Sequence, residues 1–91
     1  MEIESYLTND VKVYVEVIAV YSADGDIWPQ SFVWEDGRHY EVDRIISVCP
    51  AASLKAGGVG MRYSVRVRGR QTFMFLEEDN GVSRWFMERR T

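Results

Sequence analysis

Apolar and polar residues alternate at every second position along much of the chain, a pattern typical of β-strands with one buried face. The alternation is clearest over 11–21, where the odd-numbered residues are apolar or aromatic and share one face. Lys12, Tyr14 and Glu16 share the opposite face. Both faces become apolar over 18–20, so we expect the second half of this strand to be covered on both sides.

Tight-turn signals separate the alternating segments. Asp36-Gly37 lies between two runs of strand-favouring residues, 32–34 and 40–42, and we place the central hairpin of the sheet there. Further turns are predicted at Asp24-Gly25, Gly69-Arg70 and Asn80-Gly81.

Turns and alternation together predict five or six strands, over 11–21, 27–34, 38–48, 61–68, 71–77 and 83–88. Pro29 lacks a backbone donor and belongs at an edge, a bulge or a strand start. The pair Ile45-Ile46 interrupts the alternation and indicates a bulge or bend. The predicted fold class is all-β, a small antiparallel barrel or roll of the SH3-like kind.

The stretch 50–60 is the one break in the strand pattern. Pro50 followed by good helix formers and then glycines indicates one or two helical turns over 51–56, ending in a glycine-rich loop. Lys55 with those glycines is a candidate anion-binding residue. The order differs from a P-loop, in which the lysine follows the glycines, so helix termination is the competing interpretation.

Length and composition indicate a single small domain over 1–91, with 46% apolar and 27% charged residues. Cys49 is the only cysteine, so no intrachain disulfide can form. The acidic start of the chain does not resemble a signal peptide, and the longest apolar run, 17–21, is too short to cross a bilayer. We therefore expect a cytoplasmic protein that does not bind membranes.

Charge is divided unevenly along the chain. Residues 1–48 carry ten acidic and three basic side chains, whereas residues 49–91 carry four acidic and eight basic ones. Such asymmetry indicates either an interaction surface or acidic and basic strands that lie side by side and neutralise each other.

An arginine row is the most suggestive candidate site. Arg62, Arg66 and Arg68 share one face of a predicted strand, and Arg70 follows just beyond it. The row could contact phosphates while exposed rings among Tyr14, Trp85 and Phe86 stack on bases. The competing interpretation is cross-strand pairing with Glu16, Glu41, Asp43, Glu77 or Glu78. The acidic pI of about 5.1 weighs against nucleic acid.

No set of residues points to catalysis, and we predict no catalytic residue, no cofactor and no metal site. One His and one Cys are too few for a zinc site, and the turn acids fit no EF-hand. Cys49 is more simply a small buried residue than a nucleophile.

Three segments carry a family resemblance: Trp34-Glu35-Asp36-Gly37-Arg38, residues 51–60 (AASLKAGGVG) and Arg84-Trp85-Phe86. The chain resembles a group of small uncharacterised proteins from low-GC Gram-positive bacteria. The resemblance spans nearly the whole chain and implies a stand-alone cytoplasmic domain, but it assigns no site.

The sequence therefore predicts a non-enzymatic binding module that recognises a protein or nucleic-acid partner through a strand face with arginines and aromatic rings. The alternative is a structural domain that buries surplus aromatic area in a homodimer.

Overall fold

The computed structural model describes residues 10–52 and 59–90, which form seven antiparallel strands and no helix. The strands are β1 (Asp10–Tyr21), β2 (Ile27–Val33), β3 (His39–Glu41), β4 (Arg44–Ala52), β5 (Val59–Val67), β6 (Arg70–Asp79) and β7 (Val82–Arg90). The all-β prediction is confirmed. The strand count is seven rather than five or six.

The sheet has the order β3-β2-β1-β7-β6-β5-β4 and curls into a half-barrel. β1 produces the curl because its first half pairs with β7 and its second half with β2. The two edge strands, β3 and β4, are joined by Val42 and Asp43 alone. The Val42 amide donates to the Gln30 carbonyl, and the Asp43 amide donates to the Arg66 carbonyl, both at 2.8 Å. The chain thus passes from one side of the barrel to the other between adjacent residues.

This crossing explains why the predicted strand 38–48 is two strands. The irregularity expected at Ile45-Ile46 is confirmed, because the pairing of β4 with β5 shifts between Ile45 and Ser47. Pro29 also lies where the pairing of β1 with β2 shifts, and its side chain is fully buried.

The core lies on the inner face of the curled sheet. Its buried members follow the predicted alternation and are Phe32, Tyr63, Val65, Val67, Met74, Leu76, Trp85 and Met87. Tyr63 closes one end, where its hydroxyl donates to the Ile27 carbonyl at 2.6 Å. Burial raises the pKa of the Tyr63 phenol because the anion would lose its hydration.

Two local expectations were wrong. Ile18 and Val20 are 65% and 49% exposed, so the second half of β1 is not covered on both faces by any residue the structure describes. The turn expected at Gly69-Arg70 lies one residue earlier, at Arg68-Gly69, where φ is 53° and 79°. Both residues adopt the left-handed conformation that a two-residue hairpin turn requires.

The predicted helical segment 51–56 falls mostly outside the described residues, as does Lys55. Ala51 and Ala52 end β4 as extended residues. Among the residues described, no helix is long and apolar enough to span a membrane.

Candidate functional site

The structure divides the predicted arginine row between two places. Arg62 and Arg66 are exposed on the outer side of β5. Arg68 lies in the turn after β5, where its amide donates to Asp43 Oδ2 at 2.9 Å. Arg70 begins β6 opposite the buried Val67, and so belongs to the inner side of the sheet. The four arginines therefore do not form one continuous surface.

Aromatic rings occupy the outer side of the sheet beside Arg62. Strand pairing places Tyr14 opposite Phe86, Phe86 opposite Phe75, and Phe75 opposite Arg62. Phe73 lies two residues before Phe75 on the same side of β6. We call Tyr14, Phe86, Phe75 and Phe73 the ring row, and the outward side of β1, β7, β6 and β5 the outer face.

The rings of this row contact one another in sequence. Phe75 and Phe86 stack with centroids 4.8 Å apart. Tyr14 meets Phe86 edge-on at 5.9 Å, and Phe73 lies 6.5 Å from Phe75. Phe86 is only 6% exposed, whereas Tyr14 and Phe73 at the two ends are 43% and 39% exposed. The row thus has a covered centre and two accessible ends.

A cation lies over three of the four rings. Lys12 Nζ is 4.4 Å from the centroid of Phe86. The guanidinium carbon of Arg84 is 4.3 Å from the centroid of Tyr14, and that of Arg62 is 4.9 Å from Phe73. These distances are within the range of favourable cation–π contacts.

Glu77 is the buried acid of the outer face. Its carboxylate accepts from Lys12 Nζ and Arg84 Nη2, each at 3.1 Å, and from the Tyr14 hydroxyl at 3.2 Å. The residue is 8% exposed, so these donors replace the water that it loses.

The pKa values of this cluster move in the directions that an ion pair requires. The hydrogen bond from Lys12 lowers the pKa of Glu77 against the opposing effect of burial. Burial alone would lower the pKa of Lys12, but its hydrogen bonds to Glu77 and Tyr14 outweigh this effect and raise it. Both groups therefore stay charged at neutral pH.

The predicted pairing of the arginine row with nearby acids is not seen among the described side chains. There Glu77 pairs with Lys12 and Arg84, and the other ion pairs are Arg38 with Asp36 and Arg89 with Glu35. Arg66 donates to the carbonyl of Gly69 at 3.3 Å and lies opposite Arg44. No acidic partner for Arg62, Arg66, Arg68 or Arg70 lies within 4 Å among those side chains.

Sequence reasoning missed Lys12, Arg84 and Glu77 as a unit. Of the three rings it offered for stacking, Trp85 is buried in the core and Phe86 is 6% exposed, so only Tyr14 is exposed. The Asn80-Gly81 turn could have predicted part of this site. A two-residue turn there sets Glu77 opposite Arg84 and Phe75 opposite Phe86.

The described residues contain no group of three or more His, Cys, Asp or Glu side chains that could hold a metal ion. Comparison of the chain with family models, with curated proteins and with solved structures finds no match.

Proposed function

We propose that this chain is a non-enzymatic binding module whose outer face recognises a partner rich in anionic groups. The observation that carries the proposal is the ring row with cations lying over its two exposed ends. Arg84 over Tyr14 and Arg62 over Phe73 each form a layered platform. A guanidinium held against a ring can keep its N–H edges for carboxylate or phosphate oxygens and present its plane for stacking.

The buried acid supports this interpretation. Glu77 is neutralised by Lys12 and Arg84, so it does not add an unpaired negative charge to the face. The same contacts hold the Lys12 and Arg84 side chains close to the sheet. A partner would then meet side chains that are already ordered, which reduces the entropy lost on binding.

Charge distribution supports an anionic partner on this side of the barrel. Residues 59–90, which form β5, β6 and β7, carry seven arginines and four acids, and two of these arginines, Arg68 and Arg70, lie off the outer face. Residues 16–41, which form the second half of β1 with β2 and β3, carry six acids and one arginine. An anionic chain is attracted to the first region and repelled by the second.

The test compares two charge reversals on opposite sides of the molecule. Fluorescence anisotropy measures binding of an oligodeoxythymidine of about 12 nucleotides, a length suited to one small barrel, and of a polyglutamate peptide. We expect Arg62→Glu to weaken binding of at least one probe about tenfold or more, the loss of roughly 1.4 kcal/mol. Arg38→Glu makes the same charge change on the exposed β2–β3 turn and should have a smaller effect.

A ring truncation separates the two partner classes. Base stacking on an aromatic side chain is worth about 1–3 kcal/mol. Phe73→Leu should therefore weaken binding of the oligonucleotide markedly and change binding of polyglutamate little. Equal affinities of the wild type and Arg62→Glu for both probes, or no binding of either, would reject the outer face as an anion-binding surface.

Self-association is the second candidate function, favoured by the exposed apolar end of β1. Ile18 and Val20 share the outer side of that strand and are largely exposed. Sedimentation velocity of the wild type and Ile18→Lys tests it. A wild-type dimer that becomes monomeric in Ile18→Lys would support this role. A wild type that is monomeric at all concentrations would contradict it.

A further inference from the structure

A groove lies at one end of the barrel, between the β2–β3 hairpin and strands β5 to β7. The groove has a volume of about 270 Å³. Its lining residues are Phe32, Trp34, Tyr40, Val67, Arg70, Thr72, Met87 and Glu88. None of them belongs to the ring row.

The floor and one wall of the groove are apolar. Phe32, Val67 and Met87 are all buried core residues and form the floor. Tyr40 stacks on Phe32 with centroids 5.5 Å apart and planes at 22°, and Trp34 continues this wall. Half-buried rings beside a buried apolar floor make a surface on which a flat ring can lie.

The opposite wall carries a cation. Arg70 occupies an inner-side position of β6, opposite the buried Val67, where the next inner positions are Thr72 and Met74. Among the described side chains, Arg70 has no ion-pair partner. Glu35, on the turn beside Trp34, is paired with Arg89 at 2.6 Å. The guanidinium of Arg70 is thus available to an anion from outside.

Charge at the rim limits that anion. Only one arginine lines the groove, and its fork of N–H donors matches the two oxygens of a carboxylate. Arg68 stays outside the lining, with its guanidinium 5.2 Å from the Tyr40 centroid. Glu88 also lines the groove, but it lies opposite Lys12 in the strand register, so its side chain belongs to the outer side of the sheet and leaves the Arg70 charge unopposed.

We propose that this groove binds a small aromatic acid. The ring lies against Trp34 and the edge of Tyr40 above the apolar floor, and the carboxylate accepts from Arg70. Thr72 supplies a hydroxyl on the same wall as Arg70. The site is separate from the outer face and does not depend on the function proposed for that face.

Titration with indole-3-acetate, followed by amide chemical shifts in heteronuclear NMR, tests the site. We expect saturable shifts at Trp34, Arg70 and Thr72. Indole without the carboxylate and acetate without the ring should each bind about tenfold more weakly or not at all, because each keeps half of the contacts.

Arg70→Gln should weaken binding of indole-3-acetate about tenfold, the loss expected for one charge-assisted contact at a solvent-accessible site. Arg66→Gln is the matched control, since Arg66 is an exposed arginine on the opposite side of the sheet. The affinity of this variant for indole-3-acetate should equal that of the wild type. The same spectra show whether each variant is folded. Absence of saturable shifts in the folded wild type, or an unchanged affinity in folded Arg70→Gln, would overturn the proposal.

Discussion

Phe75 and Phe86 stack across β6 and β7 with ring centroids 4.8 Å apart and ring planes only 5° from parallel. The pair lies on the outward side of a sheet whose core is on the inner side. Phe86 is nevertheless 6% exposed, because Tyr14, Phe75 and Lys12 cover it. The outer face therefore has a small apolar layer of its own.

Removing the centre of this layer should destabilise the fold. Phe86→Ala should lower the free energy of unfolding by about 3 kcal/mol, the lower part of the range for a buried phenylalanine. Phe73→Ala is the matched control and should cost less, because Phe73 is 39% exposed. Urea denaturation measures both, and an equal loss in the two variants would show that Phe86 is not held in a packed layer.

The Glu77 carboxylate should contribute more to stability than its neighbour in sequence. Glu77→Gln leaves Lys12 without its charged partner in a partly buried position and should cost about 1–3 kcal/mol. Glu78→Gln, at an exposed position of the same strand, should change stability by less than about 0.5 kcal/mol. Similar unfolding midpoints for the two variants would contradict the ion-pair cluster.

Low pH should remove the stabilising contribution of the Glu77 carboxylate. Its folded-state pKa lies below its ordinary value of 4.5, so its contribution to stability is present above that pH. As the pH falls through the folded-state pKa, the carboxylate is protonated and the contribution is lost. The difference in unfolding free energy between the wild type and Glu77→Gln should therefore be constant near neutral pH and shrink in acid. A difference that grows in acid would contradict the lowered pKa.

Two adjacent residues of β1 should differ in how much an introduced charge destabilises the fold. Val17 packs against the core, whereas Ile18 is 65% exposed. Val17→Lys should cost more than about 2 kcal/mol because it brings an unpaired charge towards the core. Ile18→Lys should change stability by less than about 0.5 kcal/mol. Thermal unfolding of the two variants checks this register, and the reverse ranking would place the wrong side of β1 inward.

Much of the fold follows from local signals. Alternation predicts the inner side of β1 and β5, and Asn80-Gly81 alone sets Phe75 against Phe86. The contact of Lys12 with Glu77 could not be predicted in this way. The two residues are 65 positions apart and meet only because β1 lies beside β7, an arrangement that no local pattern encodes.

One missed turn changed the predicted site. Glycine and a polar residue at 69–70 indicated a turn there, whereas the hairpin turns at Arg68-Gly69 with arginine in the left-handed conformation. Arginine is seldom found in that conformation, so the sequence favoured the later position. A shift of one residue moves side chains to the other side of a strand. The shifted turn removes Arg68 from the strand and places Arg70 on the inner side of the sheet, in the groove at the end of the barrel.

The most direct test of the outer face as a binding surface is a map of amide chemical-shift changes during titration with the oligodeoxythymidine and with polyglutamate. We expect at least one probe to give saturable shifts concentrated around Tyr14, Arg62, Phe73 and Arg84, with the β2–β3 turn unaffected. Shifts centred on the acidic β2–β3 side, or no shifts with either probe, would contradict the proposed binding face.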